Sequence, residues 1–233
     1  GAAETLTQTA GGVRVAGVTS LITGQHGGAV NAAALGDITL TDVANDMGDL
    51  RVIADNIAVR GAEDMTITGS LTSDLTIGEA GNRHLETLTL SDLAIGGDLA
   101  FDAVGDVTLQ RVSVGGATAD AVSGLTDGNL SVSDVTVATG QTVLEAGGNA
   151  SFARFGLNDF ALTIGGDLGV EDGDFGSSLA ASTVGGDLTI FNVEAVDVSL
   201  DTVGTTTIDA ARFDDLTVES DGSILLGSVA MRG

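Results

Sequence analysis

The stretch Gly186-Asp187-Leu188-Thr189-Ile190 decides the fold, because versions of it return along almost the whole chain. Aligned on the first position, the copies start at Gly11, Gly36, Glu63, Glu86, Gly105, Gly128, Gly148, Gly166, Gly186, Gly204 and Gly222. Two positions later the residue is nearly always apolar, as in Met65, Leu88, Val107, Leu130 and Leu168. Four positions later it is apolar in every copy, from Val15 and Leu40 to Ile208 and Leu226. Between them lie Thr39, Thr66, Thr89, Thr108, Ser131, Ser151, Gly169, Thr189 and Thr207. This alternation is that of a strand with one buried face and one hydroxyl-rich face. Further alternating pairs, such as Leu75 with Ile77, Leu162 with Ile164 and Leu216 with Val218, give each repeat at least two strand sides.

A repeat of about 20 residues cannot bury its apolar face alone, so successive repeats must stack and share an interior. The expectation is an all-β, single-domain parallel β-helix over residues 1–233, with about 11 coils of 18–27 residues. It is taken as right-handed from the general crossover preference. No shift of composition, charge block or linker divides the chain. The phrase Gly97-Asp98-Leu99-Ala100-Phe101 falls only eight residues before the Gly105 copy, which marks one of the two as a second side of the same coil.

Composition narrows the function. There are 33 acidic residues against 8 arginines, lysine is absent, and the net charge is -25. Such a surface repels phosphate backbones and anionic lipids, so nucleic acid is not an expected partner. No apolar run is long enough for a membrane-spanning helix. Cysteine, proline, tryptophan and tyrosine are all absent, and 35 glycines punctuate the strands. That is not the make-up of an aromatic-lined enzyme cleft. Signatures for a serine nucleophile, a phosphate loop and a zinc helix are missing, and the expectation is no enzyme and no cofactor.

Several side-chain sets remain candidates. Asp37, Asp64, Asp106, Asn129, Asn149, Asp167 and Asp187 follow the repeat's first position and should form a column that caps turn amides or recruits divalent cations. Glu171, Asp172 and Asp174 gather around Gly173 and are the candidate calcium (Ca2+) ligands. His26 and His84 fall in expected turns and read as surface residues. Phe101 and Phe152 have inward phase, whereas Phe155 and Phe191 could face either the core or a partner. The Thr-x-Thr pairs Thr39 with Thr41, Thr66 with Thr68 and Thr87 with Thr89 carry an ice-binding alternative, and paired aspartates carry a polysaccharide-degrading one.

The Gly-Gly-Asp-Leu-Thr-Ile rhythm over residues 11–226 resembles the filamentous-haemagglutinin class of secreted bacterial exoproteins. That resemblance implies a parallel β-helix in an extracellular adhesive or matrix role. The shorter C-terminal coils are also similar to bactofilin cytoskeletal solenoids. Gly1-Ala2-Ala3-Glu4 fits a mature terminus left after removal of a signal peptide, in keeping with a secreted, cell-surface protein. No amphipathic helix is seen to cap either end, and Leu225 and Leu226 lie in the last expected coil. The leading expectation is therefore a structural protein whose subunits stack head to tail, with self as the partner. A monomeric adhesin that grips a glycan or protein is the alternative.

Overall fold

The computed structural model describes residues 5–15, 17–23, 25–26, 29–30, 35–42, 44–61, 63–78, 85–116 and 119–232. Within these the chain is all-β, contains no helix, and winds into a parallel β-solenoid of about 10 turns. His84 lies outside the described residues. His26 is in a short strand, Gln25–His26, paired antiparallel with Ala29–Val30.

The coil that starts at Leu88 shows how sequence becomes shape. Leu88, Leu90, Leu93 and Ile95 of the strand Leu88–Ile95 point inward, while Ser91 and Asp92 both point outward. Two outward residues in succession reset the alternation, and the reset coincides with a left-handed backbone at Asp92, φ 50°. The strand therefore bends without losing its inward face. A glycine corner at Gly96-Gly97 leads to the strand Leu99–Ala103, and a second corner at Gly105 leads to Val107–Val114 in the next turn. Each such coil thus contributes three straight segments to one interior.

Two long columns fix the register. One runs Met65, Leu88, Val107, Leu130, Ala150, Leu168, Leu188, Thr206 and Ile224. The repeat positions from Glu63 onward predict this column residue for residue. The other runs Leu6, Ile38, Ile57, Leu75, Leu99, Val122, Thr142, Phe160, Leu179, Val198 and Leu216. Leu99 belongs here, so Gly97-Asp98 does open the second side of its coil.

The first two copies need correction. Ile38 and Leu40 pair with Ile57 and Val59, so Gly36 opens the second face rather than the first. The neighbour of Met65–Leu71 is instead Asp49–Ala54, with Leu50 beside Ile67. The Gly11 copy yields only an isolated bridge between Arg14 and Asp46. Asp37 and Thr39 consequently leave the columns to which the repeat assigned them.

One continuous apolar core runs from Ile38 to Phe213. Burial of each Leu, Ile or Phe contributes about 1.5–3 kcal/mol relative to leaving it in water. Phe152, Phe155, Phe160 and Phe175 form an interior ring cluster, with centroid separations from 4.9 to 6.0 Å. Phe155 is thereby assigned to the core. Phe191 is 44% exposed.

Candidate functional site

The acidic column is a hydrogen-bond ladder. Asp106 Oδ1 accepts the Asn129 amide at 2.8 Å, Asn129 Oδ1 accepts that of Asn149 at 2.9 Å, and Asn149 Oδ1 accepts that of Asp167 at 2.9 Å. Asp167 Oδ1 then accepts the Asp187 amide at 2.9 Å, and Asp187 Oδ1 that of Thr205 at 2.7 Å. A matching ladder occupies the other corner, where Asn56 Oδ1 accepts the Asp74 amide and Asp74 Oδ1 that of Asp98. Asp37 belongs to this second ladder, where it accepts from Asn56 Nδ2.

The ladder also explains the glycine in the repeated phrase. A Cβ on Gly186 would overlap Asp167 Oδ1, and one on Gly166 would overlap Asn149 Oδ1. The short polar side chain of one coil occupies the space that the glycine of the next leaves open. Adjacent carboxylates such as Asp167 and Asp187 repel by about 0.9 kcal/mol across one strand spacing in water. The amide donors, and the asparagines that interrupt the column, offset this repulsion.

A further column was not anticipated. The bend residues Asp92, Arg111, Asp134, Arg154, Asp172 and Asn192 all have positive φ, between 50° and 55°. From Asp92 to Asp172 their charges alternate along the solenoid. Arg111 donates to both oxygens of Asp92 at 2.5 and 2.8 Å, and Arg154 to both oxygens of Asp134 at 2.8 and 3.0 Å. Asn192 Nδ2 donates to Asp172 Oδ1 at 2.6 Å. The guanidinium hydrogen bonds hold Asp92 and Asp134 below the usual carboxylate pKa and raise both arginines. The signal was present in the sequence, since every member lies four residues after a member of the first inward column.

The candidate calcium residues sit on this bend. Glu171, Asp172 and Asp174 all face outward from the strand Leu168–Phe175, on either side of the inward Gly173. Asp172 is engaged by Asn192, and Glu171 and Asp174 pair in register with Phe191 and Glu194. Among the described residues no group of three or more His, Cys, Asp or Glu side chains converges to hold a metal ion. A shallow groove follows the bend, lined by Arg154, Asp172, Asp174, Asn192, Glu194 and Arg212. Glu194 of its lining is ion-paired with Arg232.

The last described coil is exposed in this chain. Ile224, Leu226 and Met231 are in register with the buried Thr206, Ile208 and Phe213, yet they are 45%, 56% and 53% exposed. Leu216 and Val218, on the other face, are only partly buried. Near the first coil, Gln8 and Asn45 exchange side-chain hydrogen bonds at 2.9 and 3.0 Å, and Asn45 is fully buried.

These features define a parallel β-solenoid whose corner and bend side chains join coil to coil. Compared with family models, curated proteins and solved structures, the chain matches none significantly. Among the described residues no helix is long and apolar enough to cross a membrane.

Proposed function

We propose that the chain is a non-enzymatic structural protein, an extracellular β-solenoid unit that stacks head to tail into a filament, sheath or matrix. The observation that carries this reading is the exposed apolar register of the last described coil. Its inward columns continue in register through Ile224, Leu226 and Met231, and its strands pair on one side only. An uncovered apolar cross-section with free strand edges is a template for another coil.

At the opposite end, Leu6 and Thr7 continue the column that finishes at Leu216 and Thr217. A second copy placed over the last coil therefore offers leucine to leucine and threonine to threonine. Such a contact joins unlike ends and propagates. The extracellular placement rests on the exoprotein resemblance.

A further coil of a longer chain would cover the same face, so the test uses the 233-residue chain alone. Negative-stain electron microscopy and size-exclusion chromatography across a concentration series should show filaments or a ladder of oligomers. The double variant I224D/L226D should run as a monomer. A sharp monomer of the parent chain at every concentration overturns the proposal.

A further inference from the structure

The hydroxyl rank on one side face is broken within its run by a missing side chain. The outward column of the first strand segment reads Thr66, Thr89, Thr108, Ser131, Ser151, Gly169, Thr189 and Thr207. Gly169 is the one member without a side chain. Its backbone does not require glycine, since its φ lies outside the left-handed range and a Cβ there would meet nothing within 4 Å. No coil-to-coil contact accounts for it, unlike Gly186 and Gly166.

The gap opens a shallow surface notch whose rim includes Ser151, Ala153, Glu171, Thr189 and Phe191. Phe191 is the exposed aromatic of the molecule: the other six phenylalanines are buried, and Trp and Tyr are absent. A half-exposed ring is costly to leave in water, and here it stands beside hydroxyls, a carboxylate and a missing side chain. We propose that the Gly169 notch is a saccharide subsite. The face of a sugar ring packs on Phe191, and its hydroxyls bond Glu171, Ser151 and Thr189.

The chemistry selects within that class. Sugar hydroxyls donate to the Glu171 carboxylate and exchange hydrogen bonds with Ser and Thr hydroxyls. The net charge of -25, with Asp172 directly after Glu171, repels uronic-acid and sulfated chains, so the ligand is a neutral sugar chain. The open, shallow form suits a segment of a chain lying on the face rather than an engulfed small molecule. This inference is independent of head-to-tail stacking, because the notch is on the side of the solenoid and not on its final coil.

The test is saturation-transfer NMR of the intact chain with cello-oligosaccharides and chito-oligosaccharides, followed by titration. Saturable binding in the millimolar range is expected. Phe191→Ala should weaken it roughly tenfold or more, equivalent to about 1.4 kcal/mol. Gly169→Thr, which rebuilds the hydroxyl column and fills the notch, should abolish binding while the melting temperature is kept or raised. No saturable binding by the parent chain to either series, or binding that both variants leave unchanged, overturns the assignment.

Discussion

The ring of Phe155 lies where a side chain on Gly173, its in-register neighbour one coil later, would have to stand. A Cβ on Gly173 would overlap the tip of that ring, at Cζ. The column reads Val135, Phe155, Gly173, Val193, so one oversized residue is matched by one absent side chain. Phe101 and Gly124 repeat the device on another face. Gly173→Ala should destabilise by about 1–3 kcal/mol through overpacking. Phe155→Val alone should also destabilise, by leaving a cavity. The double variant F155V/G173A should recover much of the loss, and urea denaturation of all four proteins in a double-mutant cycle measures that coupling.

The Asp167 to Asp187 amide bond and the Gly186 gap form one unit. Asp167→Asn keeps the acceptor and should be close to neutral. Asp167→Ala should cost about 1 kcal/mol, the typical net worth of one hydrogen bond. Gly186→Ala should cost more in the parent than in the Asp167→Ala background, where the blocking oxygen is gone. Thermal melts of these variants resolve the order.

Thr142 sits inward between Val122 and Phe160 with a buried hydroxyl that has no hydrogen-bond partner. A buried polar group in this state is destabilising. Thr142→Val retains the shape and should stabilise the protein by about 1 kcal/mol, read as a higher urea midpoint.

The alternating bend column predicts a salt-sensitive defect. Arg154→Asp would set a new carboxylate between Asp134 and Asp172 in place of their common cation. The melting temperature should fall further than for Arg154→Ala at low ionic strength. The difference between the two variants should shrink as salt is added, because exposed charges are screened over about 10 Å at 0.1 M.

Acid should expose the same groups. Asp55, held by Thr72 and Ser73, joins Asp92, Asp134 and Asp209 in having a pKa lowered by hydrogen bonds of the folded state. A lowered folded value means that the stabilisation is present above the unfolded pKa of about 3.9 and is lost as pH falls through the folded values. Above that window acidification also relieves the repulsion of a chain carrying -25 charges. Urea midpoints should hold or rise from pH 7 toward pH 5 and drop below about pH 4. D92N/D134N should flatten the acid limb.

Much of this architecture was legible because the Gly-Asp phrase encodes a contact between coils. From Glu63 onward its spacing matches the observed register. The phrase failed at Gly36 because a glycine followed by a short acceptor can open either corner, as Gly97-Asp98 also does on the second face. It failed at Gly11 because only one bridge forms there. The bend was not read because a left-handed residue can be Asp, Arg, Asn or Ala, and no single residue type marks it. The phase reset at the bend is also why Phe155 and Phe191, on either side of it, could not be oriented from alternation alone. The Gly169 notch was hidden because it is an omission in an otherwise ordinary hydroxyl rank.

From Leu88 onward, in-register neighbours lie about one coil apart in sequence, as Leu188 and Thr206 do. Among the described residues, the strand pairings join each rung only to its neighbours. A molecule joined only through adjacent rungs unzips from its tips, so amide protons in the final rung should exchange with solvent far sooner than those around the phenylalanine cluster. Its working length is then set by how many rungs are joined, with no rung privileged over the rest.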